Sequence, residues 1–296
     1  MSLRLAVTGA RGQIARALQE FAAPGLTPVA LARPALDLAA PETILPALRA
    51  ATPDVIVHAA AYTAVDKAES DAETAFAINE AGARAIAEAA AALDTPLIHL
   101  STDYVFDGAK RAPYLETDAP NPINRYGASK LASERAVAAY ARSAIIRLSW
   151  VHAPYGANFV RTMLRLAIER AEISVVADQI GRPMAAREIA ASLIRIARNL
   201  ADAPTHKQFG LFHLGGADAA SWADVAEAAF AASARLGGPS ARVRRITTTE
   251  YPTPAARPLY GVLDGVKLHA AHGVRLGAWR AGVEDSVTRA LAQSEG

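Results

Sequence analysis

The sequence contains no cysteine, which excludes disulfide bonds, thiolate catalysis and cysteine-ligated metal sites. It has no long run of basic residues and a formal net charge of only +2, so we expect no nucleic-acid partner and no binding to a membrane surface. No stretch approaches the ~20 apolar residues of a membrane span, and no signal-peptide pattern precedes the first apolar run. With 52% hydrophobic and 20% charged residues, the chain is expected to be a globular, cytoplasmic protein.

Short apolar runs alternate with amphipathic segments throughout the first half of the chain. The runs that predict strands are residues 3–8, 28–32, 54–59, 97–101 and 143–148. Strands separated by helices predict an α/β fold with a doubly wound, Rossmann-like parallel sheet that helices cover on both faces. After Trp150 the alternation loosens, which indicates a smaller C-terminal α/β substrate domain.

This pattern predicts two domains. We expect residues 1–148 to form an NAD(P)-binding domain and residues 149–296 to form mainly a substrate-binding domain. Segments near 178–200 and 252–264 are expected to return to the first domain, with the proline-rich 252–258 as an irregular loop. We interpret Trp222 and Trp279 as packing residues of the smaller domain, and the arginines of 242–245 as a solvated stretch.

A glycine-containing turn directly follows the first apolar run, in the order Gly9-Ala10-Arg11-Gly12-Gln13-Ile14-Ala15. Gly9 permits a tight turn, Gly12 lets the backbone approach a pyrophosphate, and Ala15 is small enough for close helix–strand packing. The N-terminus of the following helix offers free N–H groups to a phosphate. The turn therefore predicts a dinucleotide cofactor, and a plain strand-to-helix turn is the alternative.

The first charged residue after the second predicted strand is Arg33. NAD-binding proteins usually carry an acidic residue in this region that binds the ribose hydroxyls, whereas a guanidinium suits the 2′-phosphate of NADPH. We therefore expect NADPH to be preferred over NADH, with Asp37 and Leu38 beside the adenine. A solvated arginine at a strand end is the alternative.

A Thr, a Tyr and a Lys predict what is done with the cofactor. Tyr126 and Lys130 are four residues apart and share one face of a helix, and Thr102 follows an earlier apolar run. A phenol has a pKa of ~10, which a neighbouring ammonium lowers. The Tyr can then give a proton to a ketone oxygen as hydride reaches the carbon, Thr102 can bind the same oxygen, and Lys130 can also bind ribose hydroxyls. This combination predicts hydride transfer to or from a carbonyl, and a surface helix is the alternative.

Further motifs run nearly from end to end of the chain. They are HAAAYTAVDKAE at 58–69, STDYVFDG at 101–108, YGASKL at 126–131, RLSWV at 147–151, NFVRTM at 158–163, DQIGRP at 178–183, and RP at 257–258 with LD at 263–264. With these motifs the chain resembles the extended short-chain dehydrogenase/reductases and, more narrowly, the dTDP-4-dehydrorhamnose reductase family.

The resemblance implies an NAD(P)H-dependent oxidoreductase that reduces the C4 ketone of a dTDP-4-keto-6-deoxy sugar. It makes Thr102, Tyr126 and Lys130 the catalytic triad and predicts a nucleotide-sugar substrate, with NADPH or NADH as cofactor. The residues it places at the cofactor are Gly9, Gly12, Gln13, Ile14, Ala59, Ala60, Ala61 and Tyr62. The residues it places at the sugar are Val65, Asp103, Tyr104 and Trp150, and Asn79 matches a structural asparagine near the site.

Several positions depart from the family pattern, most of them in the substrate half. Those with an unusual residue are His152 for Tyr, Met184 for Thr, Ala256 for Arg, Tyr260 for Asn and Gly261 for Ser. They leave the exact nucleotide sugar open. Tyr104 stands where sugar-nucleotide 4,6-dehydratases carry a Glu that helps to remove water, so dehydration is disfavoured.

Two positions bear on assembly and metals. Some bacterial relatives bind magnesium at a dimer interface through carboxylates, and the matching positions here are Ala17 and Arg187. Neither side chain coordinates a cation, so we predict no metal site, no metal-bridged dimer, and a monomer or weak homodimer. Two other functions on the same fold stay open, which are a non-catalytic dinucleotide-binding regulatory subunit and an epimerase or reductase acting on another nucleotide sugar.

Overall fold

The computed structural model describes residues 2–202 and 206–293. In its first half the strands are β1 (Leu3–Thr8), β2 (Leu26–Leu31), β3 (Val55–His58), β4 (Leu97–Thr102) and β5 (Ser143–Leu148). The helices between them are α1 (Gln13–Glu20), α2 (Ile44–Ala51), α3 (Ala72–Phe76), α4 (Gly82–Ala92) and α5 (Arg125–Ala138). A π-helical stretch, Ala77–Ala81, joins α3 to α4. All five predicted strands of this half are present.

The second half begins with shorter elements. Its strands are β6 (Val151–His152), β7 (Glu172–Val176), β8 (Ile180–Gly181), β9 (Met184–Ala185), β10 (Gly210–His213), β11 (Ala220–Ser221) and β12 (Arg242–Ile246). Its helices are α6 (Phe159–Ala167), α7 (Ala186–Ala201), α8 (Trp222–Arg235), α9 (Val266–His272) and α10 (Trp279–Ala292). Strand β12 pairs in parallel with β7, and no pattern in the sequence predicted it as a strand. Its three arginines, Arg242, Arg244 and Arg245, are exposed, as expected for a solvated stretch.

One six-stranded sheet organises the molecule, in the order β10-β5-β4-β3-β1-β2. Every neighbouring pair in it is parallel, which confirms the predicted doubly wound sheet. Strand β10 joins its edge from the second half, a return that the sequence analysis did not predict. The strand order reverses between β1 and β3, and in such sheets ligands bind at the carboxyl ends of the strands beside this reversal.

Helices cover both faces of the sheet. In β1 the side chains alternate, so Leu5 and Val7 join a buried cluster with residues of α1 and α7, whereas Ala6 joins a second cluster with residues of α2 and α4. Helices therefore cover β1 on both faces, which leaves the strand ends as the expected place for a ligand.

The remaining elements of the second half pack around their own buried clusters. Helices α6, α8 and α10 meet at Val160, Val225 and Val283, while α8 packs against β7 through Phe230 and Ile173. Trp279 is buried in the first of these clusters, which confirms its predicted packing role. The domain boundary at residue 148 stays a prediction. Within the described ranges, no helix is long and apolar enough to cross a membrane.

Candidate active site

A cleft of about 1010 Å³ opens at the carboxyl ends of β1, β3 and β4, where the strand order reverses. Its walls contain all three residues predicted to be catalytic and all four predicted to face the sugar. Of the residues predicted at the cofactor, the cleft is lined by Gly9, Gly12, Gln13, Ile14, Arg33, Asp37, Leu38, Ala59, Ala60, Ala61 and Lys130. Residues scattered over the first 150 positions of the sequence thus meet in one place.

Tyr62 is the exception among the predicted cofactor residues. It is absent from the lining of the cleft, and its side-chain hydroxyl donates to Asp71 Oδ2 over 3.3 Å. Its backbone N–H donates to Asn79 Oδ1 at 2.8 Å, and Asn79 Nδ2 in turn donates to Ser129 Oγ at 2.9 Å. The buried Asn79 of the π-helical stretch therefore links Tyr62, in the chain after β3, to helix α5 by hydrogen bonds.

The glycine turn forms the floor of one end of the cleft. Gly9 has φ +87°, and a Cβ on it would lie 3.1 Å from the Cα of Ala60, so the turn and the chain after β3 approach each other closely. Gly12 immediately precedes α1, where free backbone N–H groups favour a phosphate. Gln13 is fixed by Asn158, whose Nδ2 donates to Gln13 Oε1 at 2.9 Å.

Thr102 and Asp103 occupy the end of β4. The Thr102 hydroxyl accepts the Tyr104 N–H at 3.1 Å and donates to Asp103 Oδ1 at 3.1 Å. Burial raises the pKa of Asp103 to about 7, against the lowering effect of hydrogen bonds that include the one from Thr102. The Asp103 carboxylate also lies against Gly261, where a Cβ would overlap Oδ2. The Gly at position 261, a departure from the family pattern, thus leaves the space that this carboxylate fills.

Helix α5 brings Tyr126 and Lys130 to the cleft beside Thr102. The helix is capped by Asn124, whose Oδ1 accepts the Gly127 N–H at 2.7 Å. A Cβ on Gly127 would overlap the Tyr104 carbonyl oxygen, so a side chain at this position would push the helix away from the end of β4. The Tyr126 ring meets that of Tyr104 edge-on, with the ring centroids 5.8 Å apart.

Comparisons with known proteins identify the family of this chain. The chain matches the model of a protein family, described as RmlD substrate binding domain, over residues 3–292. The chain belongs to the dTDP-4-dehydrorhamnose reductase family. A protein of that name from Sinorhizobium fredii is 49% identical over 278 residues, which cover 94% of each chain.

Solved structures support the same assignment. A dTDP-4-dehydrorhamnose reductase from Bacillus anthracis, solved in complex with NADP, is 34% identical with a TM-score of 0.89, covering 97% of this chain and 99% of that one. A UDP-glucose 4-epimerase from Brucella ovis with NAD is 19% identical with a TM-score of 0.80, covering 96% and 97%, and shares the fold alone. The chain therefore belongs to a family of reductases, not of epimerases. The predicted α/β fold class is confirmed.

The pKa values of Tyr126 and Lys130 differ from those that the sequence predicts. Although part of Tyr126 faces the cleft, burial raises its pKa to about 12, the hydrogen bond with Thr102 lowers it, and the charge of Asp103 raises it. Burial lowers the pKa of Lys130 to about 8, and its Nζ donates to the Leu100 carbonyl oxygen at 2.8 Å. The expectation that Lys130 brings the Tyr126 pKa below its ordinary value is therefore wrong for this structure, because burial outweighs other influences.

A buried ion pair lies behind Lys130. Arg147 of β5 donates to both carboxylate oxygens of Glu134, at 2.8 and 2.6 Å, and Ser101 Oγ donates to Glu134 Oε1 at 2.5 Å. The negative charge of Glu134 raises the pKa of Lys130, against the effect of burial. Glu134 stands four residues after Lys130 on the same helix, a spacing that places two side chains side by side, but no local pattern pairs it with Arg147 of β5.

The proline-rich residues 252–258, called the 252–258 loop, contact the first half of the molecule. Arg257 Nη2 forms an ion pair with Asp66 Oδ2 at 2.8 Å, and Asn124 Nδ2 donates to the Ala256 carbonyl oxygen at 2.8 Å. The residue that caps the helix of Tyr126 therefore also holds this loop. Nothing in the sequence analysis identified this contact, which joins residues more than 130 positions apart.

No metal centre is found in residues 2–202 and 206–293, where no three His, Asp or Glu side chains are grouped to hold an ion. Ala17 is fully buried, and the Arg187 guanidinium lies 5.8 Å from the centre of the Phe21 ring. The oligomeric state stays a prediction.

Proposed function

We propose that this protein reduces the C4 ketone of dTDP-4-dehydrorhamnose with NADPH and thereby forms dTDP-L-rhamnose. The observation that carries the proposal is the meeting of Thr102, Tyr126 and Lys130 in the same cleft as the glycine turn. The membership of the family, whose named members carry this activity in their names, supports it independently.

The chain's own residues suit a dinucleotide. The backbone of Gly12, Gln13 and Ile14 at the start of α1 would hold the pyrophosphate. Arg33 lines the cleft beyond the end of β2 and would pair with a 2′-phosphate, which favours NADPH, and the Bacillus anthracis relative was solved with NADP. An ammonium has three N–H groups, so Lys130 can hold the Leu100 carbonyl and bind ribose hydroxyls at the same time.

The triad would assist reduction by placing a proton donor at the ketone oxygen. The bound nicotinamide supplies the hydride to sugar C4. Tyr126 donates its phenolic proton to the oxygen, which becomes a hydroxyl, and the proton is later replaced from solvent. A pKa of about 12 keeps Tyr126 protonated at neutral pH, so the phenol holds the proton that it would donate. Thr102, which donates to Asp103 at 3.1 Å, would donate to the ketone oxygen once the substrate is bound.

The sugar would occupy the side of the cleft formed by Val65, Asp103, Tyr104 and Trp150. Binding energy from the remote nucleotide diphosphate would hold C4 in line for the hydride, since interactions far from the reacting atoms help to orient them. Tyr104 has no carboxylate, so the site lacks the Glu that the 4,6-dehydratases use for dehydration.

The test is NADPH oxidation, followed at the nicotinamide absorbance, with dTDP-4-dehydrorhamnose as substrate. We expect oxidation that requires the sugar, that is faster with NADPH than with NADH, and that yields dTDP-L-rhamnose by chromatography. A UDP-linked 4-keto-6-deoxy sugar run in parallel tests the choice of base. A folded protein that binds NADPH and yet turns over no keto sugar would contradict the proposal and favour the regulatory-subunit alternative.

Two parts of the sequence analysis remain proposals beside this function. We place the reaction in the cytoplasm and expect no nucleic-acid partner, on the grounds of composition and charge alone.

The epimerase alternative has its own test. Tightly retained NAD after purification would support epimerisation, because a reductase must exchange its cofactor in every turnover.

A further inference from the structure

Trp150 has a strained backbone at the wall of the cleft. Among the described non-glycine residues, only Thr52, Asp94 and Trp150 have a positive φ, which for Trp150 is +45°. Thr52 and Asp94 are exposed residues just after helices, where this conformation is common. Trp150 lies between β5 and β6 and lines the cleft. Such a conformation persists in a bulky residue only where the surroundings enforce it.

Two neighbours hold the Trp150 indole. A Cβ at Gly181 would lie 2.7 Å from Trp150 Nε1, so the ring rests on a backbone that has no side chain. The Trp222 ring stacks on the Trp150 ring with centroids 3.6 Å apart and planes inclined by 6°. The indole is therefore fixed in place by glycine backbone and by a second indole.

Trp222 is itself anchored. Its Nε1 donates to Gln179 Oε1 at 3.2 Å, and the buried Gln179 donates from Nε2 to Thr248 Oγ1 at 3.2 Å. The ring of Phe159 contacts it at 4.6 Å between centroids. Trp222 and Phe159 both line the cleft, so this anchored indole belongs to its wall as well as to the packing of the second half.

We propose that Trp222 is a positioning residue for the nucleotide sugar, which holds the Trp150 indole in the strained orientation that shapes the sugar side of the cleft. The inference rests on the proposed function, because it assigns Trp222 to the substrate of that same site. It goes beyond our expectation that Trp222 only packs the smaller domain. The cofactor end of the cleft, around Gly9 and Gly12, follows β1, whereas Trp222 is the first residue of α8.

The consequence is a selective loss of substrate affinity. Without the Trp222 ring, the Trp150 indole has freedom to leave its place on Gly181, and the sugar loses a preformed wall. Stacked aromatic pairs contribute enough to change a binding constant by about 2- to 12-fold. We expect a rise of this size in the KM for the nucleotide sugar, with kcat and the Kd for NADPH within about twofold of wild type, since the pair touches neither the triad nor the glycine turn.

The experiment compares wild type with Trp222→Ala, Trp222→Leu and Trp222→Phe in steady-state kinetics, and measures NADPH binding separately. Trp222→Phe keeps a ring for stacking and should retain most of the affinity for the nucleotide sugar. Trp222→Leu replaces Trp222→Ala if the Ala variant does not fold. Phe212→Leu is the control, because Phe212 is fully buried in β10, does not line the cleft, and should alter stability without altering KM.

The outcomes separate the inference from the function. A folded Trp222→Leu or Trp222→Ala protein with an unchanged KM would overturn the inference while leaving the reductase activity established. A Kd for NADPH that worsens in parallel with KM, or a Phe variant as impaired as Leu, would overturn it too, because both indicate a general structural role. If wild type itself turns over no nucleotide sugar, the proposed function fails and the inference fails with it.

Discussion

The two ends of the cleft are built in different ways. The end that we assign to the cofactor consists of backbone and small residues that follow β1 and β3, such as Gly9, Gly12 and Ala60. The end that we assign to the substrate consists of side chains held by partners far away in the sequence, such as Asp103 against Gly261 and Trp150 on Trp222. The first kind of site depends on chain geometry, which tolerates change elsewhere. The second depends on pairs, so changing either partner alters it.

This difference matches what each end must recognise. A pyrophosphate is bound by backbone N–H groups, which every residue except proline has, so the choice of residue is restricted mainly at the glycines. A particular sugar is distinguished by the side chains around it, which vary among proteins that share the fold. Among the departures of this chain from the family pattern, Gly261 lies at the substrate end, against Asp103.

The largest effect should come from Tyr126, where the two ends meet. Tyr126→Phe removes the proton donor, and we expect kcat to fall by about 10²- to 10⁴-fold, the usual contribution of a positioned acid. NADPH binding should persist, because the phenol is not part of the glycine turn. Tyr140→Phe is the matched control, since the Tyr140 hydroxyl binds the Thr95 carbonyl away from the cleft. Full activity in Tyr126→Phe would refute the mechanism.

The next largest effect should come from the buried ion pair of Glu134 and Arg147. Glu134→Gln leaves the guanidinium of Arg147, which is 2% exposed, without its counter-charge. We expect the free energy of unfolding to fall by about 3 kcal/mol, near the lower limit for breaking a buried pair. Urea denaturation would measure it, with the exposed Glu88→Gln as control.

The same variant also tests the charge on Lys130. Glu134 raises the pKa of Lys130, so its loss should move that pKa further below about 8. Burial and the charge of Lys130 hold the pKa values of His58 and His99 low, so these neighbours stay neutral above pH 6. If the ammonium form is needed, activity is lost as pH rises through the Lys130 pKa. The alkaline limb of the kcat profile should therefore shift to lower pH, and an unshifted limb would mean that Lys130 acts in another way.

The sequence could predict the cofactor end because its signals are local. The strand, the glycine turn and the start of α1 lie within 20 residues, and the spacing of Tyr126 and Lys130 is set by one helix. Tyr62 shows the limit of such reasoning, because not every residue of the motif at 58–69 lines the cleft. The Tyr62 backbone N–H donates to Asn79, and no spacing in the sequence predicts this hydrogen bond.

The substrate end could not be predicted in the same detail. The contacts of Gly261 with Asp103, of Arg257 with Asp66 and of Trp222 with Trp150 join residues that are 70 or more positions apart. A single sequence carries no pattern that pairs them. The pKa of Tyr126 was predicted in the wrong direction for a related reason, since burial depends on everything that packs around a side chain.

A smaller effect, confined to the substrate end, should follow from Gly261→Ala. The added Cβ would overlap Asp103 Oδ2, so the carboxylate has to move and its 3.1 Å hydrogen bond with Thr102 weakens. Displacement of groups at a reacting centre by about 1 Å can cost up to ~100-fold, and we expect kcat/KM to fall about 10- to 100-fold. The Kd for NADPH should not change. Gly277→Ala is the control, because a Cβ at Gly277 meets open space.

The smallest effect should be confined to the cofactor end. Arg33→Ser removes the guanidinium that we assign to the 2′-phosphate, and a lost charge-assisted hydrogen bond reduces binding by about tenfold. The ratio of kcat/KM for NADPH to that for NADH should therefore fall about tenfold, chiefly through the KM for NADPH, whereas the KM for the nucleotide sugar should stay the same. Arg49→Ser on the exposed face of α2 should leave the ratio unchanged. If the ratio survives Arg33→Ser, the preference must come from the turn itself, and the cofactor end would then need no charged side chain to choose between the two dinucleotides.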